Sequence, residues 1–127
     1  MPDLEKNRQN VIAFYQMAFT DGKPREAVEA FVGASYRQHN PHVADGKDGF
    51  IAYFERMAEE YPDKHLQILR SVAEGHLVMV HTHQIWPGDE DYVSMDVFRL
   101  DEAGKIVEHW DVMQTIPQEL AHENGMF

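Results

Sequence analysis

The chain has 127 residues, a mass of 14.7 kDa and a net charge of −11. That length fits one domain spanning 1–127, built on one moderate core. The acidic balance, with no Lys/Arg cluster to offset it, argues against nucleic acid and anionic membranes as partners. The absence of cysteine removes disulfides, thiolate metal sites and cysteine nucleophiles, and it suits a reducing cytoplasm. No apolar run reaches the ~18 residues of a membrane span.

In chain order, Leu4, Val11, Ile12, Phe14, Tyr15, Ala18 and Phe19 recur near helical spacing. Asp3 is the expected N-cap, and Asp21-Gly22 is the expected stop. Pro24 suits the first turn of a short second helix carrying Ala27, Val28 and Phe31, with Gly33 ending it. Ser35 to Pro41 reads as a short extended or looping segment, since Pro41 disfavours helical geometry at Asn40. Asp45 to Asp48 opens a third helix. Its apolar stripe is Phe50, Ile51, Phe54, Met57, Ala58 and Tyr61, and Pro62 ends it.

Four strands are expected after that, at His65–Ala73, His76–Trp86, Tyr92–Leu100 and Lys105–Ile116. The turns between them are Glu74-Gly75, Pro87-Gly88-Asp89 and Asp101 to Gly104, which predicts an antiparallel meander. The last strand is long enough to expect a bulge. Gln118 to Phe127 reads as a loop. Helices followed by a meander make an α+β arrangement. Helices on the concave face of a curved sheet leave an open mouth where a small-molecule site can form.

Three stretches carry a resemblance. They are Tyr36-Arg37-Gln38-His39-Asn40-Pro41 with His42 and the Asp45-Gly46 helix opening; Val80-His81-Thr82-His83; and Asp96-Val97-Phe98-Arg99 followed by Gly104-Lys105-Ile106-Val107-Glu108-His109-Trp110-Asp111-Val112. In this order the chain resembles the SnoaL-like polyketide cyclases of the nuclear transport factor 2-like superfamily. The resemblance implies a cone-shaped α+β barrel with a curved, mainly antiparallel sheet. The superfamily includes aldol-type cyclases, isomerases and dehydratases, and also binding domains without catalysis. Fold alone does not choose among them.

The resemblance maps an acid/base carboxylate onto Asp111. Apolar neighbours on its strand would raise its pKa toward values useful for proton transfer. His81 and His83, two apart on one strand, converge on one volume, as proton donors, substrate partners or hydrogen-bonded core histidines. As metal ligands they lack the later carboxylate, since Pro87 and Gly88 stand in its place. The family pattern makes His39 a cavity candidate too, against a turn role beside Asn40 and Pro41. Asp96 reads either as a carboxylate that orients a histidine or as a partner for Arg99. Asn40, Asp96, Phe54 and Met79 are the expected substrate contacts. His109, His65, His76 and His122 read as surface or strand-edge residues.

The expected activity is cofactor-independent and metal-independent acid/base chemistry on a small, hydrophobic, carbonyl-containing molecule, as aldol-type cyclisation, isomerisation or dehydration. A non-catalytic binding domain is the alternative. Apolar residues on both faces of the strands predict a homodimer through the sheet.

Overall fold

A computed structural model covers residues 1–127. The three helices are α1 (Leu4–Tyr15), α2 (Pro24–Phe31) and α3 (Gly46–Glu60), with the first strand between α2 and α3. Five strands are β1 (Val32–Gln38), β2 (His65–Glu74), β3 (Leu77–Ile85), β4 (Tyr92–Leu100) and β5 (Ile106–Thr115). Asp3 caps α1, its carboxylate accepting from the Lys6 amide at 3.1 Å. A π turn, Gln16–Thr20, continues α1 and sinks Ala18 and Phe19 into the core beside Tyr15.

The sheet order is β1-β5-β4-β3-β2. β2 to β5 form the expected antiparallel meander. β1 adds to it in parallel with β5, so the sheet is mixed and it does not close on itself. The second helix ends at Phe31 rather than at Gly33, which belongs to β1. A side chain at Gly33 would stand 2.9 Å from the side chains of both Asp101 and Val107, which would have to shift to admit it. No helix is long and apolar enough to cross a membrane.

Alternation sorts the side chains. Val78, Val80, Thr82 and Gln84 of β3, with Trp86 just beyond it, are buried under the helices, as are Ser94, Asp96, Phe98 and Leu100 of β4. The expected bulge in β5 is present. Leu100 pairs with Ile106 and Arg99 with Glu108, which leaves Val107 as the extra residue. Ile106 and His109 therefore both turn inward, although they are three residues apart. The outer face keeps Val72, Met79, Met95 and Val112 exposed.

α3 carries Phe50, Ile51 and Met57 into the core. Asp45 precedes it, but its carboxylate accepts the Gln38 amide at 2.8 Å and so ties the connecting loop to β1. Gly49 packs against that loop. A Cβ there would stand 2.2 Å from the Ala44 carbonyl oxygen, closer than any real contact. Gly49→Ala should cost about 1–3 kcal/mol through forced backbone movement. Denaturant melts read that loss, and a midpoint at or above wild type would contradict the packing.

Candidate active site

Beneath the inner face lies a narrow cavity that opens at one mouth. Phe14, Phe19, Phe50, Phe54, Trp86 and Phe98 make most of its wall. Its polar lining is Tyr15, Tyr36, Gln38, Asn40, Tyr53, Gln84, His109 and Asp111. No Lys or Arg lines it. A shallower vestibule adjoins it, sharing Asn40, Tyr53, Trp86 and Met113 and adding Glu60, Tyr61, Asp89 and Tyr92.

Asp111 projects from β5 into this cavity. Burial pushes its carboxyl above the usual carboxylate range, and Asp96 pushes the same way. His109 and the hydrogen bond from Asn40 act against that rise. Asn40 Nδ2 lies 2.9 Å from both Asp111 oxygens. The amide cannot be reversed, because Asn40 Oδ1 accepts the His42 backbone N–H at 2.8 Å. Pairing of β1 with β5 makes this contact possible, by carrying residues 38–40 alongside His109 and Asp111.

Behind Asp111 a polar network crosses the apolar core, and its directions can be read without seeing hydrogens. Trp86 can only donate, so its indole N–H fixes Gln84 Oε1 toward it at 3.1 Å. Gln84 Nε2 then donates to the Tyr15 hydroxyl at 3.1 Å, and Tyr15 donates onward to Asp96 Oδ2 at 3.1 Å. Gln38 is fixed likewise, since its Oε1 accepts the backbone N–H groups of His39 and Asn40, both at 3.0 Å. His109 Nδ1, at 2.8 Å from that same oxygen, must therefore carry a proton. His109 Nε2 shares one with Asp96 Oδ2 at 2.8 Å. Ser94 donates to Asp96 Oδ1 at 2.6 Å. Asp96, with no exposed surface, is thus held by three donors.

Asp96, His109 and Asp111 place ligand-type atoms within 4.8 Å of one another. His109 Nδ1 donates to Gln38 and Nε2 faces Asp96, so a cation would have to displace the proton shared between Nε2 and Asp96. The cluster is built as a hydrogen-bonded pair beside a lone carboxylate.

The structure brings Asp111, Asn40 and Phe54 to the cavity and turns the other expected contacts away from it. Asp96 lies behind the wall, orienting His109 and Tyr15 rather than meeting a ligand. His39 is adjacent to Asn40 in an extended stretch, and alternation lets only one of the two face inward. It stacks on Trp110 with centroids 5.0 Å apart, and its Nε2 meets Glu108 at 2.7 Å. That bond, with Arg99 on the other oxygen, holds the Glu108 carboxyl below its ordinary value. His81 and His83 share the outward phase of β3 with Met79. His81 contacts Arg70 and donates from Nε2 to the Met126 carbonyl at 3.0 Å. His83 meets Asp91 at 2.9 Å and stacks on Phe127 at 4.4 Å. Both histidines therefore clasp the C-terminal tail, and Met79 is 40% exposed beside them.

His109 is the imidazole that reaches the cavity, where a strand-edge residue was expected. Its signal was present in the sequence, because it shares the Asp111 phase of β5. Tyr15, Tyr36, Gln38 and Gln84 also went unread as site residues, since aromatic and amide side chains at buried phases look like ordinary core.

A mixed α+β sheet under three helices, with an aromatic cavity and an inward carboxylate, is a fold of the nuclear transport factor 2-like class. Residues 11–109 match the SnoaL-like domain model, and the chain belongs to that family. It is similar in fold to TsrD from Streptomyces laurentii, with 23% identity, a TM-score of 0.74, and coverage of 89% of this chain and 91% of that one. A candidate polyketide cyclase from Bacillus cereus ATCC 10987 gives 20% identity, a TM-score of 0.73 and coverage of 85% and 74%. A candidate ketosteroid isomerase from Kribbella flavida DSM 17836 gives 20% identity, a TM-score of 0.71 and coverage of 97% and 86%. No curated protein matches the chain.

Proposed function

We propose that the chain is a cofactor-independent acid/base enzyme acting on a small, neutral, carbonyl-containing molecule. One observation carries this reading. Asp111 is a half-buried carboxylate with a raised pKa, and it faces a cavity walled mainly by aromatic side chains. In the reaction Asp111 takes a proton from the carbon next to the carbonyl. The C–H electron pair becomes the enolate double bond, and the carbonyl oxygen gains the charge. Protonated Asp111 then returns its proton to another carbon, giving isomerisation. Alternatively the enolate carbon attacks a second carbonyl, and the new alkoxide takes that proton, giving aldol closure. A carboxylate substrate would meet Asp111 with no Lys or Arg to offset the repulsion, so a neutral one fits.

The test is proton exchange. Small cyclic ketones and diketones are incubated with the protein in deuterated water and followed by NMR. Catalysed loss of the α-proton signal supports the reading. Ketones that bind with no exchange above background would instead mark a binding domain.

The same proposal includes a homodimer through the outer sheet face, where Val72 is 62% and Val112 76% exposed beside Met79 and Met95. Light scattering at micromolar concentration should give twice the 14.7 kDa chain mass. Val112→Lys should shift it to the monomer. A wild-type monomer at that concentration would remove the dimer.

A further inference from the structure

Abstraction of a proton by Asp111 leaves negative charge on the substrate oxygen, and a hydrogen-bond donor must face it. Each buried donor at the cavity wall can be followed to its acceptor. Tyr15 is committed to Asp96, the Trp86 indole to Gln84, and His109 to Gln38 and Asp96. Asn40 Nδ2 is turned to Asp111, with the Met113 sulfur at 4.0 Å.

Tyr36 is different. Its hydroxyl accepts a hydrogen bond from Gln38 Nε2 at 2.9 Å, and no group of the protein accepts its own proton. The direction is certain, because Gln38 is held with its oxygen toward two backbone N–H groups and its NH2 toward Tyr36. Tyr36 is 6% exposed, packs edge-on against Phe50 and lines the cavity. The Tyr53 hydroxyl is also without a partner in the protein, but its ring sits on the rim shared with the vestibule.

We infer that Tyr36 donates its hydroxyl proton to the substrate's carbonyl oxygen, and that Gln38 is the positioning residue that aims it. This rests on the acid/base reading of the cavity. Gln38 polarises the phenol by donating to its oxygen, which strengthens the donation onward. Burial, ahead of all other influences, pushes the Tyr36 hydroxyl far above its ordinary value, so it stays protonated and able to donate across the working pH range. The bond strengthens as charge develops on the oxygen, so it favours the enolate over the ketone. The acceptor class is a carbonyl conjugated with or next to an aromatic or alicyclic ring, held by the phenylalanine walls.

The experiment uses 2-acetonaphthone, with and without a 13C-labelled carbonyl, bound to the full chain. Isotope-edited infrared difference spectra report the carbonyl stretch. In wild type the bound carbonyl should absorb at lower frequency than in an apolar solvent. Tyr36→Phe should abolish most of that red shift and weaken binding roughly three- to tenfold, the equivalent of one hydrogen bond. Tyr53→Phe should leave the shift in place. Incorporation of 3-fluorotyrosine at position 36, a more acidic phenol of nearly the same shape, should deepen the shift, and it carries the test if Tyr36→Phe fails to fold. An identical carbonyl frequency in wild type and in both Tyr36 variants overturns the assignment, as does loss of the shift in Tyr53→Phe alone. Failure of wild type to bind the ketone at all would instead sink the cavity reading on which the assignment rests. None of these readouts requires turnover or Asp111 as the base.

Discussion

Asp111→Asn is expected to lower the α-proton exchange rate about a hundredfold or more, the usual contribution of a positioned general base. Asparagine keeps the shape of the side chain and can still accept from Asn40 through its own amide oxygen. It cannot take a proton. The fold should survive. Burial raises the folded-state pKa of Asp111 above its unfolded value. Such a group stabilises the native state fully below the unfolded pKa, and that contribution is lost as pH rises through the folded value. Above that folded value the ionised carboxylate is thus a burden on the native state, and Asn removes it. The melting midpoint at pH 7 should stay level or rise while exchange collapses. A variant that exchanges as fast as wild type would take Asp111 out of the chemistry.

The same shift sets the acid limb of the pH profile. The base form of Asp111 accumulates only above its raised pKa, so the rate should climb through a range higher than that of an ordinary carboxylate and then level off. A limb lying at the ordinary carboxylate value would mean that the working group is not the desolvated one.

The helices and the meander were legible because their signals are local. The Phe50-to-Tyr61 stripe has the helical period, and each hairpin carries Gly at its turn. The position of β1 was not legible in full. Its parallel seam with β5 joins residues some seventy positions apart, and nothing near Val32 announces that partner. The inward phase of β3 failed for a different reason. Both of its faces hold apolar side chains, because the tail ending at Phe127 covers part of the outer one, so Leu77, Met79, His81 and His83 looked as core-like as Val78 and Val80. In β5 the bulge at Val107 broke simple alternation, and Ile106 joined His109 indoors. The Asp111 phase could be read. The network that serves it could not, because Gln38, Gln84 and Tyr15 acquire their directions only from tertiary partners.

His109→Leu should be among the most damaging substitutions for stability. Asp96 has no exposed surface, and its remaining donors would be the neutral hydroxyls of Tyr15 and Ser94. Breaking a buried pair by removing one partner costs about 3–5 kcal/mol, since the other charge stays desolvated. Gln38 Oε1 loses an acceptor role at the same time, although two backbone N–H groups still satisfy it. For a domain of this length the melting midpoint should fall on the order of 10 °C or more. Neutralising the survivor should recover part of the loss, so Asp96→Asn combined with His109→Leu should cost less than the two single changes added together, with a coupling of about 0.5–3 kcal/mol. At Asp111 the effect runs through charge rather than proton transfer, because neither His109 nitrogen is free to meet substrate. Removing an influence that lowers the Asp111 pKa moves the acid limb of the exchange profile to higher pH. A His109→Leu protein as stable as wild type, with its acid limb unmoved, would mean that the buried pair neither holds the core nor tunes the carboxylate.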